Sequence, residues 1–79
     1  LFSNQSVVSY YVDANLPDVV EFYKTTLPTF EWLDVSDDDE VREDGAILKF
    51  FKPERVATVA LTANPVTNQT IVLITIRSQ

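Results

Sequence analysis

The chain has 79 residues with 12 acidic and six basic side chains, a formal net charge of −6, and neither cysteine nor histidine. This composition excludes disulfides, thiolate chemistry, Ser-His and Cys-His dyads and the usual zinc sites, so we expect no cofactor. The length predicts one domain, and the negative charge argues against binding to a phosphate backbone, so no nucleic-acid partner is expected.

The first predicted element is a strand over Ser6–Val12, a run of β-branched and aromatic residues. Residues Leu1–Gln5 show no periodicity and are interpreted as a tail or linker remnant, which leaves residues 6–79 as a single α+β domain. Because the tail contributes no predicted element, the fold is expected to begin with this strand.

A single helix is predicted over Asn15–Leu27, where apolar residues fall at offsets 0, 3, 4, 7 and 11 of one helical stripe. Asn15 can accept a hydrogen bond from the first turn, and Pro17 is typical of a helix start. Leu27-Pro28 predicts the end, because the residue before a proline is disfavoured in helical conformation.

Four more strands are predicted from alternating apolar residues and flanking turn residues: Thr29–Val35, Ala46–Lys52, Val56–Ala63 and Thr70–Arg77. Asp44-Gly45 predicts a tight hairpin turn in which glycine supplies a positive φ, and Pro53 favours a type I turn. The resulting order β-α-β-β-β-β predicts a two-layer α+β sandwich, with one helix packed on a mostly antiparallel five-stranded sheet. Strand one pairs antiparallel with strand five in the favoured arrangement, and parallel with strand two in the alternative.

One helix covers only one side of such a sheet, because it is roughly 10 Å wide against about 24 Å for five strands. The uncovered side is predicted to be unusually apolar for a solvated sheet, with Val7 among its members. Such a patch predicts a protein contact. The predicted partner-binding residues on it are Tyr11, Ile47, Phe51, Ala60, Ile71 and Leu73.

The acidic loop, residues 34–44, carries oxygen ligands of the kind that calcium prefers. Its spacing does not match an EF-hand, because Val41 and Arg42 stand where a ligand and a glycine are needed. The main interpretation is a solvated hairpin tip without a metal. The alternative is calcium or small-ligand binding by Asp37, Asp38, Asp39 and Glu40.

The strand directions predict that charge is divided between the two ends of the domain. Asp13 and Asp18 should lie at the same end as the acidic loop. The opposite end is expected to collect the basic residues Lys24, Lys52, Arg55 and Arg77. Such an arrangement could steer a cationic partner or favour head-to-tail contacts.

The residues Phe22-Tyr23, Leu27-Pro28 and Trp32 give the chain a resemblance to a loose group of small bacterial extracytoplasmic and lipoprotein-associated domains. In that group a strand is followed by a helix with a Phe-Tyr pair, a Leu-Pro, a tryptophan and Thr/Ile/Val strands. This chain departs from the group at Glu31, where a glycine is typical. The resemblance implies the fold and an extracytoplasmic location, and it brings no catalytic or ligand-binding residue.

These patterns predict a non-enzymatic accessory or interaction domain that docks a protein partner or a second copy through the open sheet face. No run approaches the roughly 18 apolar residues that cross a bilayer, so no membrane span is predicted. The chain begins at Leu1 and lacks methionine. That predicts a processed chain or a segment of a longer protein, and a removed signal peptide or lipid anchor would leave no trace.

Overall fold

One helix packs against a five-stranded antiparallel sheet in the computed structural model, which describes residues 5–78 and, for Asp39, only the backbone. The spatial order of the strands is β1-β5-β4-β3-β2. The predicted α+β sandwich is therefore confirmed, including the favoured antiparallel pairing of the first strand with the last. The elements are β1 (Gln5–Val12), α1 (Leu16–Thr26), β2 (Leu33–Asp34), β3 (Gly45–Lys52), β4 (Arg55–Ala63) and β5 (Thr70–Ser78).

The predicted tail and the first strand meet at Gln5. This residue is the first of β1 and pairs with Arg77 of β5, so the predicted boundary is one residue late. The rest of the predicted tail lies outside the described residues.

Helix α1 begins where the sequence predicts it. The Asn15 side-chain oxygen accepts a hydrogen bond from the Asp18 N–H at 3.0 Å, and Pro17 lies in the first turn, where its missing N–H costs nothing. The stripe residues Leu16, Val19 and Tyr23 are buried against the sheet. The helix is thus fixed by one cap and one apolar face.

The segment after the helix differs from the prediction. Instead of a strand from Thr29, Leu27–Phe30 form a 3-10 helix, and Glu31 takes a left-handed conformation with φ 70°. Pro28 is compatible with the first turn of a 3-10 helix, and the Thr29 hydroxyl donates to the Thr26 carbonyl oxygen at 2.5 Å, which stabilises that turn. The alternation of Phe30 and Trp32 around Glu31 is too short to distinguish a strand from this turn.

Strand β2 is only two residues long, because beyond it the Ser36 side chain takes the place of a backbone group in pairing with β3. The Ser36 hydroxyl donates to the Lys49 carbonyl oxygen at 3.2 Å and accepts from the Lys49 N–H at 2.9 Å. After Ser36 the backbone of the acidic loop no longer needs to pair with β3, and it turns away from the sheet. It forms a short 3-10 helix at Asp38–Glu40 before β3 begins.

Two predicted turns have a different geometry. Gly45 is the first residue of β3 and has no positive φ, but an added Cβ there would lie 2.9 Å from the Leu61 carbonyl oxygen. Glycine is therefore required for a close approach of two backbones rather than for a turn. Between β3 and β4, Glu54 has φ 69°, which fits the third position of a type II turn and not the predicted type I.

The core lies between α1 and one face of the three central strands. Among the described residues, Thr70 is the one buried polar residue. Its hydroxyl donates to the Ala14 carbonyl oxygen at 2.9 Å. This bond fixes the connection between β1 and α1 to the start of β5. The buried apolar residues are Leu16, Val19, Tyr23, Ala46, Leu48, Phe50, Ala57, Val59, Leu61 and Val72.

Candidate functional site

The register of the sheet places all six predicted partner-binding residues on the side away from the helix. Residues paired across antiparallel strands point to the same side, and Ile47, Ala60 and Leu73 form one continuous cross-strand row. Ile71 pairs with Tyr11, and Phe51 lies on the same side near the other end of β3. The predicted alternation of the strands is therefore correct, and these residues share one surface.

We define the open face as the side of the sheet opposite α1. Its apolar members are largely exposed: the exposed fraction is 70% for Tyr11, 41% for Leu73, 40% for Ile47 and 37% for Phe51, while Ala60 and Ile71 are half-buried. Small and polar side chains separate them, including Ser9, Thr58 and Thr75. The open face is thus a mixed apolar and hydroxyl surface.

Two apolar residues extend the open face beyond the predicted set. Leu33 pairs with Phe51, and the Val35 N–H donates to the Lys49 carbonyl oxygen at 2.9 Å. Their exposed fractions are 62% and 50%. The separation of Leu33 and Val35 by two residues was a signal in the sequence, but the alternation of Phe30 and Trp32 obscured it.

The open face carries little charge although the protein is strongly acidic. Within the described strands, the positions that point to this side include two basic residues, Lys49 and Arg77, and no acidic residue. An acidic side chain reaches the rim, where Glu40 Oε1 accepts from Lys49 Nζ at 3.3 Å. The one acidic residue of the described strands, Asp34, pairs with the buried Phe50 and so points to the helix side. Low charge is typical of the centre of protein interfaces.

Two carboxylates of the acidic loop lie beside the same lysine of α1. Lys24 Nζ lies 3.6 Å from Asp34 and 3.8 Å from Asp38, so the last turn of α1 is joined to the acidic loop by two ion pairs. The predicted separation of Lys24 from the acidic loop is therefore wrong, because two carboxylates of the loop contact the Lys24 ammonium group.

Within residues 5–78, no three acidic side chains come together as a group that could hold a metal ion. Of the four residues in the calcium alternative, Asp38 and Glu40 are each in contact with a lysine, and Asp37 makes a contact of its own. The side chain of Asp39 lies outside the described part. Calcium binding stays a prediction, and calorimetric titration with calcium would test it.

Asp34 is held ionised by its neighbours. Burial alone would raise the pKa of this carboxyl group, but the hydrogen bonds from Ser36 and the attraction of Lys24 outweigh burial and lower the pKa below its ordinary value. One of these bonds joins the Ser36 N–H to Asp34 Oδ1 at 2.9 Å. Asp34 is therefore a structural link between β2, the acidic loop and α1.

A second concave surface lies beside β1. A cleft of about 430 Å³ is open between this strand and α1, and its largely apolar lining includes Tyr10, Val19, Phe22 and Tyr23. The hydroxyl groups of Tyr10 and Tyr23 share a hydrogen bond at this cleft. Burial, followed by that bond, raises the pKa of Tyr23.

The sequence favours Tyr23 and Trp32 as core residues over pocket residues. Tyr23 is buried and also lines the cleft, whereas Trp32 is half-buried, with Lys52 Nζ 4.8 Å from its ring centroid. The cleft was not predicted. Its signal in the sequence is Phe22, a large apolar residue that lies outside the helical stripe and is 58% exposed.

No family model, curated protein or solved structure matches this chain significantly. Within the described residues, no helix has the length and apolar character needed to span a membrane. The function is therefore inferred from the chain's own residues.

Proposed function

We propose that this chain is a small, non-enzymatic accessory domain that docks a protein partner, or a second copy of itself, through the open face. The observation that carries the proposal is the apolar character of this exposed sheet surface. A protein of net charge −6 presents a sheet surface without acidic strand residues, and large apolar side chains stand exposed on it. The solvated face of an antiparallel sheet would be expected to be polar.

The size of the open face supports docking. The four long strands, of eight or nine residues, cover roughly 19 Å by 26 Å, or about 500 Å². A standard interface buries about 800 Å² per partner. The open face can therefore supply most of a specific interface, and the exposed rings of Tyr11 and Phe51 are of the kind that dominates binding energy.

The test compares a substitution on the open face with one elsewhere. Leu73→Lys places a charge at the centre of the face, where the side chain is 41% exposed and the fold should tolerate it. Val66→Lys is the matched control, because Val66 lies in the β4–β5 connection and is 89% exposed. Light scattering measures the mass of the assembly formed by each variant. A photo-crosslinker placed at position 73 or at position 66 measures the yield of adduct at each site.

Loss of an assembly larger than the 9.0 kDa chain in Leu73→Lys, but not in Val66→Lys, would support docking of a second copy. A discrete crosslinked adduct from position 73 and none from position 66, in extracts of the source cells, would support docking of a different protein. Unchanged mass in both variants together with no position-specific adduct would contradict the proposal.

We also propose an extracytoplasmic location, which rests on the resemblance of the Phe-Tyr, Leu-Pro and tryptophan pattern.

A further inference from the structure

Strand β1 is the outer strand of the sheet, and its free edge is long. It has eight residues, all paired on one side with β5 in an unbroken antiparallel register. Within residues 5–78, no strand pairs with its other side. The opposite edge of the sheet is different, since β2 has only two residues and the acidic loop leaves from it.

The hydrogen bonds at the ends of β4 identify which groups of β1 face outward. The Asn64 N–H donates to the Gln69 carbonyl oxygen at 2.8 Å, and the Ala63 N–H donates to the Asp44 carbonyl oxygen at 2.9 Å. In an antiparallel sheet the backbone groups of successive residues bond alternately to the strand on one side and the strand on the other. Even-numbered residues of β4 therefore bond to odd-numbered residues of β5. The even-numbered residues of β5 then bond to their partners in β1, which are also even-numbered. The outward backbone groups of β1 therefore belong to Gln5, Val7, Ser9 and Tyr11.

This edge lacks the features that usually protect an outer strand. Natural sheets block their edges with proline, lysine, bulges or very short strands. The segment QSVVSYYV contains no proline and no charged residue, and its register with β5 has no bulge. Val8, on the helix side, is 55% exposed although it pairs with Ile74.

We propose that β1 pairs antiparallel with β1 of a second copy, which joins two sheets into one of ten strands. The two β1 strands are related by a two-fold axis perpendicular to the joined sheet. Side chains of residues that face each other across the two strands must point to the same side of the sheet, so this axis passes through a pair formed by one residue and its own counterpart. Two registers overlap by seven residues, and the one that pairs all four outward residues places Val8 opposite its counterpart and Val7 opposite Ser9. Four outward residues in each copy then supply eight N–H donors for eight carbonyl acceptors.

The charges at the two ends of β1 favour this direction. Asp13 and Asp18 lie at the carboxyl end of the strand, and Arg77 lies beside Gln5 at the amino end. Antiparallel pairing brings Asp13 of one copy towards Arg77 of the other, roughly 12 Å away across two strand spacings and two residues along the strand. This distance is about one Debye length, so the attraction offsets part of the repulsion between two copies of charge −6.

The pairing goes beyond the proposed function and does not depend on it. With the two-fold axis perpendicular to the sheet, both helices lie on one side and both open faces on the other. The two copies would therefore present one continuous surface of doubled width. A partner with two apolar surfaces could bind it with higher avidity than a single copy.

The experiment uses charge exchange at the two-fold axis. Analytical ultracentrifugation from micromolar to millimolar concentration should show wild-type chain at twice the 9.0 kDa mass. Val8→Lys and Val8→Glu should each sediment as monomers, because each places like charges opposite one another. An equimolar mixture of the two variants should restore the dimer. Circular dichroism of each variant verifies the fold, and Val66→Lys, far from the edge, should behave as wild type.

Amide hydrogen exchange of the unmodified chain is a second measurement that needs no variant. Val7, Ser9 and Tyr11 should gain protection as concentration rises, whereas Val8 and Tyr10, already bonded to β5, should change little. A wild-type chain that stays monomeric at millimolar concentration would overturn the proposal, as would a mixture of the two Val8 variants that stays monomeric. A dimer that Leu73→Lys dissociates and Val8→Lys does not would also overturn it, while supporting docking through the open face.

Discussion

The phenolic hydroxyl of Tyr10 on β1 is hydrogen-bonded to that of Tyr23 on α1, and this bond joins the outer strand to the helix. Tyr23 is 6% exposed, whereas Tyr10 is 39% exposed. The two ends of the bond therefore differ in their access to water. Removing one hydroxyl should not have the same effect as removing the other.

Tyr10→Phe should cost more stability than Tyr23→Phe. The first change leaves the buried Tyr23 hydroxyl without its partner, at about 1–3 kcal/mol, whereas the second leaves the more exposed Tyr10 hydroxyl, which can bond to water, at about 0.5–1.5 kcal/mol. Urea unfolding monitored by circular dichroism measures both. Adding Tyr23→Phe to Tyr10→Phe should recover part of the loss, and equal losses in the two single variants would contradict this account.

Stability should fall in alkaline solution because of Tyr23. Its pKa in the folded protein is raised, first by burial and then by the bond to Tyr10, above the ordinary value of about 10. Its contribution to stability is therefore complete below about pH 10 and is lost as the pH rises from there towards the folded pKa, because only the unfolded chain releases the proton. Urea unfolding at pH 8 to 11 should show a steeper decline for wild type than for Tyr23→Phe. Parallel curves would show that another group causes the decline.

Thr70→Val should destabilise the protein by about 1–3 kcal/mol. The substitution keeps the shape of the buried side chain but removes the donor that satisfies the Ala14 carbonyl oxygen at 2.9 Å. Thr70→Ser keeps the hydroxyl and loses only a methyl group, about 1 kcal/mol. A larger loss in Thr70→Ser than in Thr70→Val, measured by thermal unfolding, would mean that packing rather than the bond holds this connection.

Gly45→Ala should destabilise the protein by about 1–3 kcal/mol through overpacking. The new methyl group would lie 2.9 Å from the Leu61 carbonyl oxygen, and backbone atoms cannot move aside without disturbing the β3–β4 ladder. Thr62→Ala, which changes the residue paired with Gly45, is the control. Unchanged urea stability in Gly45→Ala would show that the two strands separate at little cost.

The link between Asp34, Ser36 and Lys24 should be sensitive to acid. The pKa of Asp34 is lowered in the folded protein, so its contribution is complete above the ordinary value of about 3.8 and is lost as the pH falls through the folded pKa. Asp34→Asn should cost at most about 1 kcal/mol at pH 7 and should flatten the decline in stability below pH 4. Glu21→Gln, on the exposed side of α1, is the control, and equal acid curves for wild type and Asp34→Asn would contradict the role of Asp34.

The parts of the fold that follow a local physical rule could be predicted from the sequence. Asn15 and the stripe through Tyr23 define the helix, because capping and a 3.6-residue period act within a few residues. The period of two in β3, β4 and β5 fixes which side chains share the open face. The membership of Phe51 and Leu73 was therefore predictable.

The remaining features depend on contacts between distant residues. The need for glycine at position 45 comes from the Leu61 backbone, 16 residues later, and is not visible in the Asp-Gly dipeptide. Lys24 contacts Asp34 and Asp38, which lie 10 and 14 residues later in the chain, and no local pattern indicates these pairs. The cleft beside Tyr10 likewise arises only once β1 and α1 are packed together.

Among residues 5–78, three residues other than glycine hold a positive φ: Glu31 at 70°, Glu54 at 69° and Asn68 at 60°. Glycine at these positions would relieve local strain in the native turns, but it would also give the unfolded chain more conformations to lose on folding. Relief of strain would stabilise the folded protein, whereas the added freedom of the unfolded chain would destabilise it. With only one glycine, this chain accepts some strain in its native turns and has a less flexible unfolded state. These turn residues therefore affect stability partly through the unfolded chain, whose conformational freedom they reduce.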